Sequence, residues 1–380
     1  MNRRPSFDVC VRGGGPVGRT LALVLAHRGL RVALVERERD AAAEDPRSFA
    51  LNAASMRLLR TLKVGEALLA RAGAVTPVAE MRVQGDDGGT LRFSAWQQRV
   101  RELASIVDAQ ALEAALDDAL RFAPAVSRVK DEAPAALVAL CEGRDSTRRD
   151  ALGVEMPGHD YGQTAIAARL GCDRPHAGIA WQWFRAPDVL ALLPTAAPAD
   201  AAGGYSLVWS LPRARAEALL ASTPAAFEQA LEEATGAAAG RLTLASARAS
   251  WPLRIATAER WHGRANGQAW LLLGDAAHSV HPLAGQGLNL GFADVRALDE
   301  VLAERARDEP WRSIADPRLL ERYARRRRAA TAAMGGLTDG LQLLFGRADP
   351  WSRELRNRGL GLVDRLAPLK RWLGQRALQG

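Results

Sequence analysis

The stretch "WLLLGDAAHSVHPLAGQGLNLGFADV", Trp270 to Val295, crowds acids, histidines and glycines into one short segment. Three kinds of chemistry use such residues: a metal centre, a nucleophile with its base, or a backbone cradle for a large ligand. His278 and His281 are three apart, but Pro282 and the glycines place them on a loop, and only Asp275 offers itself as a further metal ligand. No metal is expected. Ser279 lacks the flanking glycines of a nucleophile elbow, so a hydrolase has no nucleophile here. The cradle accounts for what the others leave over. Gly285, Gln286 and Gly287 precede an amphipathic run, so backbone N–H groups at a new helix start can approach an electron-rich ring. Asp275, at a strand end, can accept hydrogen bonds from the hydroxyls of a ribityl chain. A flavin ring gathers negative charge when reduced, and a helix N-terminus aimed at it stabilises that charge.

Such a cradle needs a second element to hold the rest of the ligand. "FDVCVRGGGPVGRTLALVLAHRGLRVALVERE" reads as strand, glycine turn, helix, strand. Gly13, Gly15 and Gly18 spell GxGxxG at the strand end. The first permits the tight turn, the second lets backbone approach a pyrophosphate, and the third lets helix and strand pack closely. Glu36 closes the next strand, near the offset of about 20 residues expected for a ribose-binding acid. A glycine turn without a ligand would use the same glycines. The strand before, the helix after and the acid beyond favour a dinucleotide.

Further on, residues 53–71 read as helical, and "EMRVQGDDGGTLRFSAW" as a hairpin turning at Asp86 to Gly89. "DAQALEAALDDALRF" is a helix and "AALVAL" a buried strand entering a polar turn. Residues 158–250 mix short strands with one helix around Pro224 to Thr235. The final 80 residues are helical, interrupted by two glycine pairs.

Net charge is +8, mostly from arginine excess. It suits nucleic acid, an anionic membrane or an anionic cofactor. The densest run, "RYARRRRAA", alternates with no aromatic platform, which disfavours nucleic acid and leaves a solvated helix face. No apolar run reaches the roughly 18 residues of a spanning helix, and no signal peptide is read. Three scattered cysteines fit a reducing cytoplasm.

"GGGPVG", "RSFALN", "AWQWFRAPDVLALLP", "YSLVWSLP" and "LLLGDAAHSVHPLAGQGLNLGFADV" follow one another in an order that resembles the FAD-dependent aromatic hydroxylases, whose fold is that of para-hydroxybenzoate hydroxylase. "LRNRGLGLVDRLAPLKRWL" makes the chain similar to the ubiquinone-biosynthesis group among them. The resemblance implies an α/β fold: a Rossmann-like FAD-binding domain with an inserted β-rich substrate domain and C-terminal helices. The FAD-binding domain would take residues 1–80, 101–157 and 256–305. A hairpin at 81–100 would join a substrate domain at 158–255, and 306–380 would be helical. It further implies that Gly13, Gly15, Pro16, Val17, Gly18, Glu36 and Arg37 hold the ADP half of FAD, with Arg47 over the pyrophosphate. Gly274 and Asp275 would bind the ribityl chain, and Gly285, Gln286, Gly287, Leu288 and Asn289 would edge the ring with backbone. Pro282 and Gly285 would lie beside the reacting part of the ring, with His278 and His281 in supporting places. NADPH or NADH would reduce FAD, and a flavin hydroperoxide would hydroxylate a prenylated phenol.

Three positions depart from the family. Glu142 stands where an aspartate is usual, one methylene longer. The segment before it is short, leaving one face of the FAD-binding domain open or covered by something else. Ala109 replaces a polar flavin contact, and Gln110 beside it points elsewhere on a helix. These departures motivate a rival reading, a non-catalytic scaffold in a quinone-biosynthesis complex; a hydroxylase of a soluble phenol is another. "WQW" also occurs in flavin-dependent halogenases, but the rest of that motif is absent. The leucines and arginines of residues 353–376 fit either a helix lying on the anionic inner face of a membrane or one packed on the protein.

Overall fold

The computed structural model describes residues 6–36, 45–85, 89–279 and 287–346, the last fifteen as helical backbone alone. Among the described residues the strands form three sheets. The first runs β16 (His262–Ala265), β17 (Gln268–Leu272), β9 (Ala135–Leu140), β1 (Phe7–Arg12), β2 (Val32–Val35), β8 (Val126–Val129). Every pair in it except β16–β17 is parallel, and β2 is buried along its whole length. Such a sheet must be covered on both faces, and its strands are accordingly Val-, Leu- and Ala-rich.

The large sheet runs β18 (His278–Ser279), β15 (Ala249–Thr257), β10 (Gly158–Cys172), β13 (Gly203–Pro212), β12 (Asp188–Thr195), β11 (Ile179–Arg185), β5 (Glu80–Gln84), β6 (Thr90–Ser94), with β14 (Leu242–Leu244) on β10. A small sheet, β3 (Ser48–Leu51), β7 (Ala104–Asp108), β4 (Val75–Val78), lies between the two. The helices are α1 (Pro16–His27), α2 (Ala53–Thr61), α3 (Val64–Leu69), α4 (Ala95–Gln98), α5 (Ala109–Arg121), α6 (Thr147–Ala151), α7 (Arg213–Ala221), α8 (Pro224–Thr235), α9 (Gly287–Asp308) and α10 (Pro317–Gly346).

Alternation gives the large sheet two faces. Ile166, Leu190, Leu207 and Trp209 point to α7 and α8 and pack on Phe227 and Leu231. Ala180 and Leu193 point the other way, onto Val78 and Ile106 of the small sheet. Helices α1, α5 and α9 pack together over the parallel sheet, and Gly29 ends α1 with a φ of +75°.

Two expectations need correcting. The 158–250 region holds two helices, because α7 precedes α8; its apolar stripe is one turn long, with Ala216 buried and Leu219 and Leu220 part-buried on the core, too short to stand out in the sequence. The pair Gly335–Gly336 does not interrupt the C-terminal helix, since α10 runs through it to Gly346. Each interior glycine costs about 1 kcal/mol relative to alanine, which strong helix formers on either side can absorb. The expected hairpin is present as β5–β6, with Asp86, Asp87 and Gly88 outside the described residues.

The short segment before Glu142 also finds its place. β8 and β9 are parallel and three strands apart, yet only residues 130–134 join them. This link crosses the sheet as a strap. Glu132 pairs with Arg12 at 2.8 Å, and the Ala133 backbone reaches the Cys10 thiol, so the Cys10–Arg12 face of β1 is covered.

Candidate flavin site

The glycine turn is shaped by close approach. Gly13 has a φ of +116°, and a Cβ there would lie 2.3 Å from the Cys141 carbonyl oxygen. A Cβ on Gly18 would lie 1.9 Å from the Gly13 carbonyl oxygen, so strand and helix meet as the motif requires. Pro16 opens α1 after Gly15, which supplies no side-chain cap. The N–H groups of Val17 and Gly18 therefore have no intrahelical acceptor and carry the positive end of the helix dipole.

Val17 joins this turn to the second motif. A Cβ on Gly291 would sit 2.5 Å from Val17 Cγ2, and one on Gly274 would sit 3.4 Å from it. The start of α9, the Gly274–Asp275 turn after β17 and the start of α1 thus converge. A Cβ on Gly287, the first residue of α9, would meet nothing within 4 Å. Leu288 is part-buried against the core. Asn289 is buried and bonded at both ends of its amide: its Oδ1 accepts from Asn52 N (3.0 Å) and Ser55 Oγ (2.7 Å), and its Nδ2 donates to Ala50 O (2.8 Å). It pins α9 to the "RSFALN" segment.

Two aspartates of this motif sit in opposite surroundings. Asp294 is wholly buried on α9. It accepts from Gly274 N at 2.7 Å and Arg327 Nε at 2.6 Å, and meets His278 Nε2 at 2.7 Å. Burial raises its pKa, but the charges and hydrogen bonds of His278 and Arg327 outweigh burial and hold it below the usual 3.8. His278 is equally buried and stacks on Trp261, so it organises the turn from beneath. Sequence reasoning took in Asp294 only as the last letter of a motif and missed Arg327, which reads as one charge in a basic run.

Asp275, one residue beyond Gly274, is open to solvent, and among the described residues no donor reaches its carboxylate. Loss of hydration raises its pKa, with Asp294 adding repulsion against the relief from His278, Arg144 and Arg47. An unpaired carboxylate between two helix starts is suited to a ligand that brings hydroxyls and negative charge together.

Arg47 is half-exposed, pairs with Asp45 at 2.5 Å and feels the Asp275 charge. Its carbonyl accepts from Ala109 N and from Arg169 Nη2, both at 3.2 Å, and Arg169 also pairs with Asp108. Arg169, on β10, thereby ties the large sheet to the loop carrying Arg47; no motif marks it. Glu36 lies against Gly14 and is paired with Arg19 at 2.9 Å and Arg128 at 3.5 Å.

The departures resolve as follows. Glu142 accepts from Ser146 Oγ (2.6 Å), Arg148 N (3.3 Å) and Arg12 Nε (3.0 Å), so the longer acid closes its turn. Ala109 is buried and Gln110 is exposed. Arg37, His281, Pro282, Gly285 and Gln286 lie outside the described residues. Among the described residues no group of His, Cys, Asp and Glu could hold a metal.

Comparison with known proteins agrees with this geometry. The family model described as "FAD binding domain" matches residues 6–90 and 95–335. The chain is 32% identical to "Ubiquinone hydroxylase UbiL" of Rhodospirillum rubrum, across 98% of this chain and 89% of that protein. It is 30% identical to the Escherichia coli "3-demethoxyubiquinol 3-hydroxylase", across 98% of each. Among solved structures, p-nitrophenol 4-monooxygenase PnpA of Pseudomonas putida shares the fold, with a TM-score of 0.76 at 19% identity over 98% of each chain. The chain belongs to the FAD binding domain family and, within it, to the ubiquinone hydroxylases.

Proposed function

We propose that the protein is an FAD-dependent monooxygenase that hydroxylates the aromatic ring of a prenylated phenol in ubiquinone biosynthesis. The balance is ArH + O2 + NAD(P)H + H+ → ArOH + H2O + NAD(P)+. When bound, FAD supplies hydride acceptance and oxygen activation, the steps no protein side chain can perform. The observation that carries the reading is the unpaired Asp275 carboxylate between the starts of α1 and α9, in a chain similar to ubiquinone hydroxylases along nearly its whole length.

The chain's own residues bind, orient and polarise. Gly13, Gly15, Pro16, Val17 and Gly18 would receive the pyrophosphate, with Arg47 supplying positive charge beside it. Glu36 and Arg37 would hold the ribose, though Glu36 must share its carboxylate with Arg19. Gly274 and Asp275 would take the ribityl hydroxyls. The N-terminus of α9, with Gly287, Leu288 and Asn289, would face the ring, and Pro282, Gly285 and Gln286 would complete that edge. This reading divides the chain into an FAD-binding part (1–80, 101–157, 256–305), a substrate part (81–100, 158–255) and a C-terminal helical part (306–380).

The scaffold alternative drew on Glu142, Ala109 and the shortened segment. Glu142 makes its turn's hydrogen bonds and the strap covers Cys10 and Arg12, which weakens two of the three grounds; buried Ala109, with Gln110 turned to solvent, still stands as the third. Work on a prenylated substrate suits a protein at the inner face of the membrane, in contact with anionic lipid and with other quinone-biosynthesis proteins. No helix of the described residues is long and apolar enough to cross a bilayer.

The deciding experiment is the quinone profile of cells lacking the gene, complemented with the native protein or with Asp275→Ala at matched abundance. An under-hydroxylated prenylated intermediate should accumulate, and only the native protein should clear it. Equal rescue by both would remove flavin chemistry from the function.

A further inference from the structure

The corner where the large sheet meets the start of α5 holds two arginines, Arg47 and Arg169, against two acids, Asp45 and Asp108. The Arg47 side chain pairs with Asp45, and its backbone N–H donates to the same carboxylate at 3.0 Å. Arg169 arrives from the other side, on β10. Its backbone is fixed there: it stands opposite Ser206 of β13, and its N–H donates to Ser246 Oγ at 2.9 Å. Its Nη2 donates to Asp108 Oδ2 and, at 3.2 Å, to the Arg47 carbonyl oxygen. The other oxygen of Asp108 accepts from Ala111 N at 2.7 Å and caps α5. Asp45 also feels the Arg169 charge, so the four side chains form one cluster.

The ion pair alone explains little. Its side chains are 26% and 22% exposed, and a pair so open to water adds little stability. The second acceptor is the informative one. The Arg47 carbonyl is held by the Ala109 N–H from α5 and by Arg169 from the large sheet, both at 3.2 Å. The Arg47 side chain is half-exposed, so its place depends on its backbone and on Asp45. Residue 109 brings no polar side chain to this corner, and Arg169 supplies the side-chain donors that the start of α5 lacks. A guanidinium fork suits a carboxylate and a carbonyl together, where an ammonium is a single point. We propose that Arg169 is a positioning residue for FAD: from a strand of the large sheet, it holds Arg47 in place for the pyrophosphate. The inference rests on the reading of Arg47 as the cation beside that pyrophosphate. A charged contact set in place before its ligand arrives raises affinity by removing an ordering cost.

The test is a double-mutant cycle on FAD affinity, read from flavin fluorescence as FAD is titrated into full-chain apoprotein. The proteins are the native chain, Arg169→Met, Arg47→Ala and the double variant, with the thermal midpoint of each apoprotein measured alongside. We expect Arg169→Met to weaken FAD about tenfold, within the range for residues of one hydrogen-bond network, and to have no further effect once residue 47 is alanine. A residue that merely staples two layers would weaken FAD equally in both backgrounds. Should Arg169→Met not fold, Arg169→Lys, which keeps the charge beside Asp108 but loses the fork, should show a smaller loss with the same dependence on Arg47. The proposal is overturned if the Arg169 variant binds FAD like the native protein, or if its loss persists undiminished beside Arg47→Ala. Either result strikes this inference alone, whereas a native protein that binds no FAD would remove the proposed function and this inference with it.

Discussion

At the scale of single residues, the flavin motif places two carboxylates under opposite demands. Asp294 has a folded pKa below its ordinary value, so its ionised form stabilises the fold above that value. That stability is lost as pH falls below 3.8 and through the lower folded value. Asp294→Asn leaves Arg327 and His278 without their partner, and breaking such a buried pair costs about 3–5 kcal/mol. The expected outcome is a large drop in thermal midpoint near neutral pH that narrows in acid, measured by circular dichroism. Asp275 has a raised pKa, so its ionisation costs the unliganded protein stability, and the cost disappears as pH falls. Asp275→Asn should therefore raise the midpoint of the apoprotein while weakening FAD, a stability gain against function. Apoprotein melting and FAD titration by fluorescence check the two halves separately. A variant that lost both would place Asp275 in the fold rather than at the ligand.

At the scale of elements, Val17 is the contact through which α1, α9 and the Gly274 turn share one position. Gly291→Ala would press a methyl against Val17 Cγ2, at 2.5 Å before relaxation. Overpacking of this kind costs about 1–3 kcal/mol. Because the obstructing atom is the end of a side chain, Val17→Ala in the same protein should restore much of the loss, and a double-mutant cycle in urea unfolding would show the coupling. Gly18→Ala has no such remedy. Its Cβ meets the Gly13 carbonyl at 1.9 Å, a backbone atom, so helix and strand must part. Loss of bound FAD in the purified protein is the expected result, and no second-site truncation should recover it.

At the scale of the whole molecule, the proposed contact with anionic lipid is tested through the net charge of +8 and the basic, leucine-rich residues 353–376, which suit either a membrane surface or packing on the protein. The full chain should sediment with vesicles containing anionic lipid at low salt. It should be released as ionic strength shortens the screening length to about 8 Å near physiological salt. Equal sedimentation with neutral vesicles would point to apolar insertion instead.

The sequence by itself determined the elements whose signals are local. The GxGxxG turn, the strand ending at Glu36 and the helix starting at Gly287 are written in glycines and short-range periodicity, and they are found where expected. The order of the motifs carried the family. Only the tertiary structure decided which side chains serve them from a distance. Arg327 reaches Asp294 across 33 residues, Arg169 reaches the Arg47 carbonyl across 122, and Glu132 of the strap reaches Arg12 of β1 across 120. Helix α7 went unread because its apolar stripe spans a single turn, and the unbroken run of α10 because flanking helix formers carry it through its glycine pair. Ion pairs and packing between distant elements are set by the folded chain's geometry, and no spacing along the sequence encodes them.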